Sequence, residues 1–209
     1  MKNKSIRLGS IALICFVVVF FYACQSDVST TEEQTTAVNT DSMYLAQGQA
    51  IAGATFSALS AKLSAALKSG GVPAALETCN LAAMPLVDSL SKVHQAQIRR
   101  TSLRTRNPAN QPNERESKIL EAYQASFAAG QKIKPQTAYI DENTVAFYAP
   151  ILTAELCLQC HGVVGETLTE ANAARILELY PADQATGYVK GDLRGIWSIT
   201  LAQNNRQEQ

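Results

Sequence analysis

The stretch Thr137-Ala138-Tyr139-Ile140-Asp141-Glu142-Asn143-Thr144-Val145-Ala146-Phe147-Tyr148 decides the class of the fold. Its two ends are short and rich in β-branched and aromatic residues. The polar trio Asp141-Glu142-Asn143 between them reads as the turn of a hairpin, with strands over Thr137–Ile140 and Thr144–Tyr148. A hairpin makes the pairing antiparallel. Upstream the pattern is helical. Asp41 suits an N-cap, and Tyr44, Leu45, Ala52, Phe56, Leu59, Leu63 and Leu67 follow at helical spacing until Gly70-Gly71 stops the run. Pro73 opens a second helix to about Lys92, with Leu76, Cys79, Ala83 and Leu86 on one face. Gln97–Thr105 reads as a basic strand and is followed by the turns Arg106-Asn107-Pro108 and Asn110-Gln111-Pro112. Asn113 with Glu116 three residues later starts a helix that turns Ile119, Leu120, Tyr123 and Phe127 inward and ends at Gly130. A short helix over Glu170–Leu179 and a last strand over Leu193–Leu201 complete the chain. Helices first and antiparallel strands later make the class α+β.

The 209 residues are 46% hydrophobic, enough to bury a core and to exclude wholesale disorder. Lys+Arg and Asp+Glu both number 18, and no basic block is present, which excludes nucleic acid as a partner. No internal repeat is visible, so residues 41–203 form one domain, with residues 204–209 a disordered tail.

The N-terminus has the form of an export signal, residues 1–23. Lys2, Lys4 and Arg7 precede an unbroken apolar run from Ile11 to Ala23, too short for a comfortable membrane span. Phe21-Tyr22-Ala23-Cys24 resembles the bacterial lipoprotein processing site, at which Cys24 becomes the first mature residue and carries lipid. The alternative is an ordinary signal peptide with Cys24 incidental. In both readings the mature protein lies outside the cytoplasm, and the lipoprotein reading ties it to a membrane on the periplasmic side of a bacterial envelope. Residues 24–40 are rich in Ser, Thr, Glu and Gln and read as a flexible tether. Removing the signal leaves Cys24, Cys79, Cys157 and Cys160. Once Cys24 is set aside for lipid, an odd number of cysteines remains in a disulfide-permissive compartment.

Cys157-Leu158-Gln159-Cys160-His161 is the Cys-x-x-Cys-His pattern of c-type haem attachment. Two thiols three residues apart can each form a thioether with one haem vinyl group, and the adjacent His can bring a ring nitrogen to the iron. In a chain of this composition the pattern arises by chance roughly once in a thousand sequences. Three other readings compete: a thioredoxin-like redox pair, a Cys157–Cys160 disulfide, and a Cys₃His zinc site that adds Cys79. The second axial position has several candidates, namely Cys79, His94, Met84 and Met43. Considered alone, a Cys such as Cys79 on an apolar helix face is more often a small core residue than a ligand. Among the basic residues Arg99, Arg100, Arg104 and Arg106, either Arg104 or Arg106, on one face of an extended strand, is expected to pair with a haem propionate. Arg194 is a weaker candidate, and a solvated strand edge is the alternative.

Several motifs in order carry a resemblance: Ala74-Ala75-Leu76-Glu77-Thr78-Cys79 with Ala83-Met84-Pro85, Arg104-Thr105-Arg106-Asn107-Pro108-Ala109-Asn110, Cys157 to Gly162, and Tyr180-Pro181 through Gly187-Tyr188 to Gly191-Asp192-Leu193-Arg194-Gly195. Over about Asp41 to Leu201 the chain resembles the PAS-like c-type haem domains long catalogued as a domain of unknown function. The resemblance implies a PAS-like antiparallel sheet flanked by helices, one covalently attached haem c, and a mixed axial pair of His161 and Cys79. The family often has Ala-Pro where this chain has Ala83-Met84-Pro85, which keeps Met84 in play.

Two function classes follow. One is electron transfer, with an unidentified redox partner protein in the envelope. The other is a haem-based redox or gas sensor that acts through a partner. An enzyme is not expected, because an iron capped on both sides lacks the open face that peroxidase-like chemistry needs.

Overall fold

The computed structural model describes residues 29–203, and the side chains from residue 40 onward. The export signal, Cys24 and residues 204–209 lie outside the described residues. The elements are α1 (Ser29–Val93), β1 (Gln97–Thr101), a 3-10 turn (Pro108–Asn110), α2 (Glu114–Ala128), β2 (Gln136–Asp141), β3 (Thr144–Leu152), α3 (Glu155–His161), α4 (Glu170–Leu179) and β4 (Leu193–Ala202). The helical backbone of α1 extends back to Ser29, into the stretch expected to be a tether.

Gly70-Gly71 breaks α1 into two limbs. Gly70 sits at φ −157° and Gly71 at φ 66°, a left-handed conformation that glycine adopts without strain. Pro73 lies at the start of the second limb, where its missing N–H is not needed. The buried stripe of the first limb is Tyr44, Gly48, Ile51, Ala52 and Thr55, with the expected Leu45 and Leu59 packed against the same cluster. Phe56 is exposed, because Gly48 brings the backbone onto Phe147 and fixes which face meets the sheet. Within Thr40–Val93 the helix holds an 18-residue stretch apolar enough to cross a membrane by length and composition. Its buried stripe nevertheless packs into the domain core.

The four strands form one antiparallel sheet in the order β1-β4-β3-β2. The β2–β3 hairpin turns at Glu142-Asn143, with Asn143 N–H donating to Asp141 Oδ1 at 2.9 Å. Alternation along the strands gives the sheet two working faces. One carries Ile98, Val145, Phe147, Ala149, Trp197, Ile199 and Leu201 against α1. The other carries Ala146, Tyr148 and Ile196 against Leu120 and Tyr123 of α2. Asn113 caps α2 in a reciprocal capping box with Glu116, both contacts at 2.9 Å, as its spacing predicts. Phe127, expected inside, is 38% exposed near the end of that helix.

A third cluster joins the second limb of α1 to α3 and α4. Leu76, Leu168 and Ile176 are buried together, with Cys160 packed against them. Arg175 of α4 reaches Glu77 of α1 at 3.0 Å. This cluster brings the Cys-x-x-Cys-His segment to the Cys79 limb. The fold is α+β and PAS-like, an antiparallel sheet flanked by helices and preceded by a long N-terminal helix.

Candidate functional site

Cys157, Cys160 and His161 lie on one short helix, α3, an element that their own sequence pattern did not announce. Positions three apart on a helix project from neighbouring turns of the same side. Neither cysteine is in a disulfide, and Cys79 is free as well. Cys157 Sγ accepts the Ala154 N–H at 3.3 Å. Burial raises the Cys160 thiol to about 11, with Arg106 opposing and the neighbouring Cys79 and Cys157 reinforcing. At neutral pH Cys160 is therefore a thiol. Among the described residues no three His, Cys, Asp or Glu side chains are grouped to share one metal ion, so Cys79, Cys157, Cys160 and His161 do not form the tetrahedral Cys₃His set.

His161 is held by its backbone and its ring. Its carbonyl accepts from Tyr188 N–H at 2.9 Å, and Tyr188 meets the imidazole edge-on with centroids 6.4 Å apart. His161 Nδ1 lies 2.7 Å from the Ala185 carbonyl. A carbonyl only accepts, so Nδ1 carries the proton and donates, which leaves the Nε2 lone pair free for a ligand. Burial holds the imidazole well below its usual range, helped by the nearby cations Arg194 and Arg106 and opposed by the Ala185 contact. The ring is neutral at pH 7. A neutral imidazole with its tautomer fixed by a carbonyl is the usual form of a metal-ligating histidine.

The helix end is closed by Gly162. A Cβ there would lie 1.9 Å from Thr167 Oγ1 and 2.5 Å from the Leu158 carbonyl, so a side chain has no room. Gly162 O accepts from Gly187 N–H at 2.7 Å. The 183–192 strap between α4 and β4 thus docks along α3.

Arg104 and Arg106 tie this strap from its other side. They do not lie on one face of a strand, because β1 ends at Thr101 and the chain turns irregularly from Ser102. Asn107, by accepting the Ala109 N–H at 2.9 Å, caps the 3-10 turn that follows. Arg106 pairs with Asp183 at 3.1 Å and donates to the Cys160 carbonyl at 2.6 Å. Arg104 donates to the carbonyls of Gln184 and Thr186 and lies 4.5 Å from the Tyr188 ring centroid. Both guanidiniums are committed to the protein, which accounts for the Arg-x-Arg-Asn run without a ligand. Arg99 points to the other face of the sheet, where it pairs with Glu116 at 3.2 Å.

Cys79 stands one turn beyond the buried residues Ala75 and Leu76, on the same face of α1. Its surface is open, unlike that of a core cysteine. The protein on its other sides still desolvates the thiol and raises it, with Arg100 and Arg106 opposing. Arg100 and Arg106 also act on His161, so Cys79 and His161 share one cationic neighbourhood. Met84 follows Cys79 by five residues, which is about 140° round the helix from it. Met43 is exposed on the first limb, and His94 follows the far end of α1 beyond Val93.

Tyr180 and Trp197 complete the surroundings. Arg106 lies 6.0 Å from the Tyr180 centroid and Arg100 lies 5.8 Å from the Trp197 centroid. The donor set thus comprises two helical thiols, a neutral imidazole with an available Nε2, an open thiol on a facing helix, and several arginines.

No curated protein matches the chain. Among solved structures it is similar to the cyanobacterial heme-protein Tll0287, with 22% sequence identity, a TM-score of 0.51, and coverage of 73% of this chain and 92% of that chain. At this identity the likeness bears on the fold. The family comparison reaches further, since the Tll0287-like model matches residues 23–202, nearly all of the folded domain. The chain belongs to the Tll0287-like family.

Proposed function

We propose that this chain is an extracytoplasmic, membrane-tethered c-type haem protein that carries electrons to or from a redox partner. The observation that carries the proposal is the fixed tautomer of His161, whose Nδ1 donates to Ala185 O at 2.7 Å beside two free thiols at the c-type spacing. The heme-protein relative supports the cofactor class.

Cys157 and Cys160 would hold the haem by adding their S–H groups across its two vinyl groups, an addition in which no electrons are lost. His161 Nε2 and the Cys79 sulfur would be the protein's donors to its iron. Bound there, the haem supplies reversible one-electron chemistry at iron. The rest of the work belongs to the protein. Ala185 O keeps His161 in the ligating tautomer. Tyr188 and the Arg106–Asp183 pair fix the helix that carries it. Burial raises the Cys79 thiol, and Arg100 and Arg106 oppose that rise. A thiolate donor favours the oxidised metal and a low potential. Two protein donors to the iron would suit a carrier better than an enzyme, which needs an open iron face. Cys24 would carry the lipid that ties it to the membrane.

The test compares optical spectra of wild type and Cys79→Ser, both matured with c-type machinery. The proposal predicts a thiolate-type ferric spectrum that the substitution abolishes. An unchanged spectrum removes Cys79 from the axial position. Saturating CO uptake by the reduced wild type at low gas concentration would favour a sensor over a carrier.

A further inference from the structure

Four arginines surround the site, and a fifth, Arg99, lies on the other face of the sheet. Arg99, Arg104 and Arg106 have their guanidiniums matched by a carboxylate or by two backbone carbonyls. Among the described residues Arg100 has no such partner, and Arg194 has a single carbonyl for Nη1 and none for Nε. Among the described residues no carboxylate pairs with either. Arg100 lies in register opposite Trp197 and stacks on its ring at 5.8 Å. Arg194, at the start of β4, donates from Nη1 to Arg104 O at 3.1 Å and lies 5.3 Å from the Tyr188 centroid. Its Nε is buried and has no hydrogen-bond partner.

Desolvating a guanidinium without an anion is unfavourable, and a buried N–H with no acceptor adds to the cost. Burial lowers the proton affinity of both arginines. Such a pair is retained at little net cost only when an anionic ligand completes it. Both cations act on His161, and Arg100 also acts on Cys79. The unmatched charges are therefore concentrated at the haem-binding helix, and they are two in number, like the carboxylates of a haem. Guanidiniums bind carboxylates through paired N–H donors.

We propose that Arg100 and Arg194, rather than Arg104 and Arg106, clamp the two haem propionates. This rests on the haem reading above. Arg104 and Arg106 act one step away by holding the 183–188 strap in place.

The experiment uses the matured holoprotein in four forms besides wild type: Arg100→Gln, Arg100→Lys, Arg194→Gln and Arg104→Gln. Three quantities are read: covalent haem per chain by pyridine haemochrome, the propionate-bending band in the resonance Raman spectrum, and the midpoint potential. Covalent haem should stay at the wild-type level throughout, since the thioethers hold it. The propionate band should shift in Arg100→Gln and Arg194→Gln, and both midpoints should fall as a cation beside the iron is lost. Arg100→Lys should restore the midpoint but only part of the band, because an ammonium keeps the charge and loses the fork. Arg104→Gln should leave the band in place. Wild-type bands and midpoints in both Gln variants, with haem present, would overturn the clamp while leaving the haem reading intact. A shift confined to Arg104→Gln would overturn it too. A wild-type protein without covalent haem would overturn the haem reading and the clamp together.

Discussion

Replacing Arg106 with Met should destabilise the domain strongly, although Arg106 belongs to none of the three apolar clusters. Its side chain is 12% exposed and that of Asp183 is 2% exposed. Solvent therefore screens the pair little, and the small values measured for surface ion pairs do not apply. Removing one member of a buried pair leaves the other charge uncompensated, at a cost of about 3–5 kcal/mol. The hydrogen bond to the Cys160 carbonyl is lost in the same step. Asp183 keeps only the Ala185 N–H at 3.0 Å. For a domain of this size each kcal/mol lowers Tm by about 2–4 °C, so the melt should fall by roughly 6–20 °C. The assay is thermal unfolding followed by circular dichroism on the mature protein, repeated with Asp183→Asn and with the double variant. The two losses should be strongly non-additive, because Asp183→Asn removes the charge that Arg106→Met strands. A cost below about 1 kcal/mol for Arg106→Met, or simple additivity, would refute the view that this pair locks the strap onto α3.

Gly48→Ala should destabilise, although alanine is the better helix former by about 1 kcal/mol. The added Cβ would sit 2.1 Å from Phe147 Cγ, and overpacking of this kind costs about 1–3 kcal/mol, so a urea midpoint above wild type would count against the helix–sheet contact described. Tyr123 donates to the Lys134 carbonyl at 2.7 Å, and burial pushes its phenol up to about 12. The folded state therefore holds this proton more tightly than the unfolded state. The contribution is complete below pH 10, and stability should fall as pH rises from 10 to about 12. That slope should be shallower in Tyr123→Phe, and identical slopes in urea titrations would contradict the assignment.

Local signals carried the architecture well where the chemistry is local. The Asn113–Glu116 box, the Gly70-Gly71 break and the Asp141–Asn143 turn are each set by a few neighbouring residues, and each stands where its sequence places it. Helix α4 matches its expected bounds for the same reason, with Thr169 as its cap. Helix α3 was not legible, because Glu155–His161 is too short for a periodic pattern and is supported by the strap and by Leu158 in the interior. On α1 the expected Tyr44, Leu45, Ala52 and Leu59 do meet the core, and Phe56 does not, because the Gly48 contact with Phe147 sets the face. In the site, Cys157, Cys160 and His161 were legible as a motif. The partners that make His161 useful, Ala185 and Tyr188, lie 24 and 27 positions away, and although Tyr188 belongs to a quoted motif, nothing in the sequence ties either residue to His161. The arginines illustrate the same limit. Arg104 and Arg106 stood out because they sit close together in sequence and Arg194 read as the weaker candidate, whereas the weight shifts to Arg100 and Arg194 only when hydrogen-bond partners are assigned.

The central claim is that Cys157 and Cys160 carry a covalent haem. The most direct measurement is the intact mass of the full chain, purified under denaturing conditions after expression with c-type maturation machinery, beside a Cys157→Ser, Cys160→Ser variant. The account predicts a wild-type mass increased by one haem that survives denaturation, with a bis-thioether pyridine haemochrome, and no such increase in the variant. A wild-type chain at its bare polypeptide mass, from cells that mature a control c-type cytochrome normally, would contradict it.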